Sequence, residues 1–169
     1  MFDLMRSLGD QKYYKLEDIF INNKDNDIVY RIGCDSINIK HNTIYITSLV
    51  GIYPNNKGAF VFYIKEKIPK IKEVQQRLWR EVEVSVAFAK YLRDNVDITV
   101  SAIDFDLNVL PEYPSSRLAP AAVGFAMAEG FKAFTKPDKL YGINCSDHVC
   151  HNSGNKQKPF GHKNHKKIK

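Results

Sequence analysis

No stretch of this 169-residue chain approaches the ~18 consecutive apolar residues of a membrane span, so no membrane partner is expected. The opening MFDLMRSLGDQKYYK has no apolar run followed by a small-residue cleavage site, which speaks against export. Cysteine is scarce. Cys34, Cys145 and Cys150 form an odd, sparse set, which excludes a disulfide framework and fits a reduced, cytoplasmic setting. A glycine-rich phosphate loop is missing, which argues against an NTPase, and there is no internal repeat. What remains has the composition of an ordinary soluble domain, 44% hydrophobic and 26% charged, and its length is enough for one domain with a proper core.

Acid is absent from one end of the chain. From His151 onward there are six lysines (Lys156, Lys158, Lys163, Lys166, Lys167 and Lys169) and no Asp or Glu. Without those six, the 25 basic residues fall to 19 and equal the 19 acids. The net charge of +6 therefore describes the C-terminal segment, read either as a solvated, disordered terminus or as an arm adding salt-dependent affinity for the phosphates of a nucleic acid. Three segments are expected: an N-terminal extension with a short helix over 1–27, a folded domain over 28–151, and a basic, disordered tail over 152–169.

Within the domain the apolar period changes. Ile28 to Ile32, Thr43 to Val50 and Ala59 to Ile64 read as strands joined by short turns, an antiparallel meander. The first should stop at the turn-like Gly33-Cys34-Asp35-Ser36. Ile71, Val74, Leu78, Val82, Val86, Ala89 and Leu92 then recur at three- and four-residue spacing, which predicts a helix of about six turns. Strand character returns over Asp97 to Leu107. A small-residue helix follows from Pro120, which fits the first turn of a helix. Lys139 to Asn144 reads as a last strand, with a short helix from Cys145. The order β-β-β-α-β-α-β-α closes most simply as a mixed five-stranded α/β sheet with helices on both faces, the crossovers joining parallel strands.

Ile103-Asp104-Phe105-Asp106-Leu107-Asn108 breaks the apolar pattern. Alternation puts Asp104, Asp106 and Asn108 on one face and Ile103, Phe105 and Leu107 on the other. Ionised carboxylates in such a place ask for a cation. Asp35 follows the first strand, and Asp147 stands where the last helix should begin. On the long helix Glu81 lies closer to the apolar stripe than Glu83, so Glu81 is the better candidate to face the sheet. Hard oxygen ligands of this kind suit Mg²⁺ or Mn²⁺ rather than zinc. Taken singly, Asp35 reads equally as a turn residue, Asp147 as a helix cap and Glu81 as a surface charge.

The chain resembles the ribonuclease H-like fold, and within it the YkuK-like bacterial family of uncharacterised proteins, over about Tyr30 to Asp147. The resemblance rests on Gly33-Cys34-Asp35-Ser36, Arg77-Leu78-Trp79-Arg80-Glu81-Val82 with Ser85, Ile103 to Asn108, Ser115-Ser116, Gly124-Phe125, Gly130-Phe131, Lys136-Pro137 and Cys145-Ser146-Asp147, in that order. It implies strand order 3-2-1-4-5, a central acidic cluster of Asp35, Glu81, Asp106 and Asp147, and Mg²⁺ or Mn²⁺ as cofactor; Asp104, an extra carboxylate read from the strand pattern, is either a further metal ligand or a sign that the site has drifted. Two positions depart from the family pattern: Cys34 stands in place of Thr and Asp104 in place of His.

By fold analogy the expected activity is metal-dependent phosphodiester hydrolysis of RNA, DNA or a hybrid, of the two-metal type. The alternatives are a non-catalytic nucleic-acid-binding module and a protein-interaction module on the same fold. Cys145, His148, Cys150 and His151 crowd together, but their spacing matches no standard structural zinc site. His148 is a candidate proton shuttle, with an ordinary surface histidine as the simpler reading. Tyr53, Phe60, Phe62 and Tyr63 read chiefly as core, with base stacking open to any that are exposed.

Overall fold

The computed structural model describes residues 2–23, 27–138 and 140–154; the expected basic tail beyond Gly154 lies outside the described residues. The elements are β1 (Leu4–Ser7), β2 (Tyr13–Lys15), α1 (Leu16–Ile21), β3 (Val29–Ile39), β4 (Asn42–Ile52), β5 (Ala59–Pro69), α2 (Val74–Val96), β6 (Ala102–Asn108), α3 (Ala119–Ala128), β7 (Ala133–Lys136) and α4 (Tyr141–Gly154). They build one α/β fold around a mixed sheet. That sheet has seven strands rather than five, in the order β2-β1-β5-β4-β3-β6-β7. The order differs from the expected 3-2-1-4-5 because the N-terminal segment, which does carry the short helix α1, also supplies β1 and β2, and β1 pairs antiparallel to the free edge of β5. Strands of three and four residues are too short to show an alternation, and their pairing is decided by a distant edge.

Two further expectations change. Gly33-Cys34-Asp35-Ser36 does not end the first strand, because β3 stays paired to β4 through Ile39 opposite Asn42. A continuous ladder overrides the local turn preference of Gly, Asp and Ser. The segment from Tyr141 is helix, not strand, and the last strand lies earlier, at Ala133–Lys136. A short apolar run cannot declare its own period. In α4 the buried residues Gly142, Ile143, Ser146, Val149 and Cys150 follow helical three- and four-residue spacing.

The antiparallel meander β3-β4-β5 meets the parallel pairs β3–β6 and β6–β7 at β3. Helices cover both faces. On one, α1, α2 and α3 bury a core including Phe20, Ile32, Leu49, Val82, Val86, Phe88, Leu92, Ile103, Phe105, Leu107 and Ala122. On the other, α4 packs on β3, β4 and β6, and Val149 and Cys150 cover Ile46 and Tyr63. Strand β4 is buried on both faces, from Ile46 to Gly51 without interruption, as its β-branched sequence requires. Among the described residues no helix is long and apolar enough to cross a membrane, and Cys34, Cys145 and Cys150 are free thiols.

The seat of α4 is unusually close. A Cβ placed on Gly142 would stand 2.5 Å from Gly33 N and Ile32 C, and one on Gly33 would stand 2.5 Å from Gly142 C. Only glycine at both positions lets the first turn of the helix lie on the β3 backbone. Buried hydroxyls tie the contact: Ser48 donates to Gly142 O at 2.6 Å, and Ser146 lies 2.9 Å from Ser48 Oγ and 3.2 Å from Gly33 O.

Candidate active site

Strands β3 and β6 are paired only as far as Gly33 opposite Asp104, although β3 continues to Ile39 and β6 to Asn108. Beyond that row a crevice opens at the carboxyl ends of two parallel strands, where ligands of open α/β sheets commonly sit. Two residues further along each strand stand Asp35 and Asp106, one on each lip. The β6–β7 pairing also shifts register between Asp104 and Asn108, an irregularity of the kind that re-aims side chains.

Asp35 points toward α4. Its Oδ1 accepts the Ser36 N–H at 2.8 Å, and the Cys150 thiol bonds to the carboxylate. Burial pushes its pKa up, the two hydrogen bonds oppose this, and the charges of Asp106 and Asp147 add to the rise. Asp106 lies on the face of β6 opposite Phe105 and Leu107, which belong to the core under α2 and α3. Lys136 Nζ stands 2.5 Å from Asp106 Oδ1, an ion pair. Asp147, exposed on α4, places Oδ1 2.9 Å from His151 Nδ1 one turn on.

Glu81 reaches the crevice from the other side of the sheet. It is buried in α2, whereas Glu83 lies on the surface, where Trp79 Nε1 donates to it at 3.1 Å. Ser36 Oγ donates to Glu81 Oε1 at 2.5 Å. Ser36 and Asp35 are consecutive strand residues, so their side chains point to opposite faces. Arg77 sends Nη1 to Ser36 O at 2.8 Å and to Ser36 Oγ at 2.6 Å, and reaches Glu81 Oε1 only at 3.4 Å. Burial pushes Glu81 up to about 8, against the Ser36 bond and the Arg77 charge, and Asp35 and Asp106 raise it further. That these aspartates reach it across the sheet follows from the gap between β3 and β6.

The sequence-predicted residues thus divide. Asp35, Asp106 and Asp147 share the α4 face, and Glu81 adjoins them from the α2 face. Asp104 is separate. It is fully buried, paired with the Arg31 guanidinium on β3, and accepts the Gly142 N–H at 2.8 Å. The cation that the Asp104 carboxylate requires is a side chain of the protein. Arg31 in turn lies over the Phe134 ring at 4.5 Å and the Tyr141 ring at 5.6 Å.

Lys136, which the sequence offered only as part of the family resemblance, stands beside Asp106. Its ammonium is stabilised first by Asp106 and also by Asp147 and Asp35, which together push its pKa up. A cation already stands against Asp106. Consistent with that, among the described residues no three His, Cys, Asp or Glu side chains are arranged to hold a metal ion. The donor set itself is all hard oxygen and attracts positive charge, which fits Mg²⁺ or Mn²⁺ chemically. A separate hollow of about 530 Å³, lined by Phe20, Tyr30, Asn95 and Ile98 among others, holds none of these carboxylates.

The family profile described as Ribonuclease H-like matches residues 11–151, a span that begins before β2 and takes in all four carboxylates of the crevice. No curated protein matches the chain.

Proposed function

This chain belongs to the ribonuclease H-like family, of the YkuK type, and from that membership we propose that its β3/β6 crevice hydrolyses phosphodiesters of RNA, DNA or a hybrid with a divalent metal. The observation that carries the proposal is the coupling of four carboxylates around one gap at a sheet switch point. Burial first, and then the charges of Asp35 and Asp106, raise Glu81 to about 8; burial, with the charges of Asp106 and Asp147, raises Asp35. Groups that suppress one another's ionisation in this way gather at functional sites more often than at structural ones.

Asp35, Asp106 and Asp147 would hold Mg²⁺ or Mn²⁺, with Glu81 as a fourth carboxylate. Such ions activate water and stabilise the leaving oxygen. Lys136, half exposed, would offset the charge of the aspartates until a metal cation displaced it. Ser36 and Arg77 fix the Glu81 carboxyl, which burial keeps largely protonated at neutral pH. Asp104 serves as the anchor of α4, not as a ligand. A cytoplasmic location, consistent with three free thiols, belongs to the same proposal.

The test is cleavage of labelled RNA, DNA and hybrid substrates with Mg²⁺, Mn²⁺ or chelator, comparing the wild type with Asp106→Asn. Metal-dependent cleavage should fall on the order of 100-fold or more when one carboxylate is removed, a loss typical of a preorganised electrostatic group. Cleavage that the substitution leaves untouched would sink the site assignment. The Lys136–Asp106 ion pair favours a second reading, a fold that binds nucleic acid without turnover. Binding with no cleavage under any ion would select it.

A further inference from the structure

The added strands β1 and β2 extend the sheet past α4, which reaches only as far as Tyr63 on β5, and among the described residues no helix packs on the face of β1 and β2 that continues from Tyr63. Alternation and register fix what that face carries. Leu4 stands opposite Lys15 and Arg6 opposite Tyr13, while Arg6 also stands opposite Tyr63. On β5 the same face continues through Lys65 and Lys67. Met5, Tyr14, Phe60, Phe62 and Ile64 turn the other way, into the main core. Lys15, Lys65, Lys67 and Tyr13 are exposed, Tyr13 to 68%.

Positive charge gathers on this face. Four cations, Arg6, Lys15, Lys65 and Lys67, occupy it. Glu66 is the single acid in β1, β2 and β5, and it points away, to Arg80 on α2 at 3.1 Å. Aromatic rings are interleaved with the cations: the Arg6 guanidinium lies 5.6 Å from the Tyr13 ring centre, and Lys65 Nζ lies 5.6 Å from that of Tyr63. Burial, with the neighbouring Arg6 charge, holds Lys65 below its usual range, as expected where like charges are kept together.

The face is also in line with the crevice. Asp35 stands opposite Ile46, and Ile46 stands opposite Lys65. Lys65 is therefore two strands from Asp35, about 10 Å at ordinary strand spacing. That is roughly the rise of three nucleotides along one strand of a duplex.

We propose that the face of β1, β2 and β5 that carries Tyr13 and these four cations is the cradle for the nucleic-acid backbone, with Arg6, Lys15, Lys65 and Lys67 taking phosphates and Tyr13 stacking on a base. The proposal rests on the nucleic-acid reading of the crevice but not on hydrolysis there. Phosphate contacts position a substrate without reading its sequence, and an exposed tyrosine beside them suits a single strand, whose bases are free to stack.

The test uses the full chain carrying Asp106→Asn, so that substrate survives, and measures binding of a fluorescent single-stranded oligonucleotide across a salt series. Lys65→Gln/Lys67→Gln should weaken binding at least about tenfold and reduce the salt slope by about 1.4, the share of two phosphate contacts on a single strand. Tyr13→Ala should cost about fivefold or more with the slope unchanged. The charge-matched Lys90→Gln/Lys132→Gln, on the far side of the molecule, should leave both quantities alone. Equal losses in the two double variants, or none in either, would overturn the proposal. So would unchanged oligonucleotide binding accompanied by lost binding to phosphatidylserine vesicles. Cleavage by the chain with native Asp106 is scored separately. Its absence, with binding as described, removes the hydrolytic reading and leaves the cradle standing.

Discussion

Asp104 and Asp106 share one face of β6, two residues apart, and each sits against a cation from a neighbouring strand. For Asp104 the cation is Arg31, both partners are largely buried, and Gly142 N–H occupies the second carboxylate oxygen. For Asp106 it is Lys136, whose side chain is half exposed. The first pair has planar, hydrogen-bonded recognition locked by two aromatic rings; the second is a point charge on a flexible stem. Asp104 ties α4 to the sheet through a buried pair, while Asp106 has a half-exposed counter-ion.

The largest test of that contrast is Asp104→Asn. It leaves Arg31 charged and uncompensated, and removal of one partner of a buried pair costs about 3–5 kcal/mol. Urea unfolding should show it, and a loss below about 1 kcal/mol would erase the distinction from a surface pair. Next comes pH. The folded pKa of Glu81 is raised from 4.5 to about 8, so the folded state binds more protons than the unfolded one between those values. The stability from this group is full below 4.5, declines as pH rises, and is gone above about 8, a change on the order of a few kcal/mol. Glu81→Gln should flatten that slope in unfolding measured from pH 4 to 9. A wild-type curve that rises over this window would contradict the burial of Glu81.

A smaller effect is expected at the glycine seat. Gly142→Ala drives a methyl into the Gly33 backbone and should cost about 1–3 kcal/mol. Gly124→Ala on α3, where a Cβ meets nothing within 4 Å, should instead gain about 0.5–1 kcal/mol. Thermal melts of the two distinguish a close-packed seat from a general intolerance of alanine. Smallest in stability is Lys136→Met, expected within about 1 kcal/mol of wild type. Its signature is elsewhere: with the competing ammonium removed, Mn²⁺ affinity measured by calorimetry should rise several-fold. Unchanged or weaker Mn²⁺ binding would show that Lys136 does not guard the cluster.

Much of this was legible in the chain. The alternation in Ile103 to Asn108 declared two carboxylates in need of a cation, and the helical angle separated Glu81 from Glu83. Which cation each carboxylate finds was not legible, because Arg31 is 73 residues from Asp104 in sequence and is brought near only by the parallel register of β3 and β6. The two added strands were hidden for a related reason. Their stability comes from the β5 edge and from Met5 and Tyr14 entering the core, not from any local pattern. Gly-Cys-Asp-Ser misled because Gly33 serves a close approach from the far end of the chain and not a turn.

The most direct test is paramagnetic broadening of backbone amide signals by Mn²⁺ in the intact chain. With wild type, amides around Asp35, Asp106 and Asp147 should broaden first, at substoichiometric ion, and Asp106→Asn should abolish this with the rest of the spectrum unchanged. Broadening that starts elsewhere, or that survives Asp106→Asn undiminished, would contradict a metal-binding role for the β3/β6 crevice.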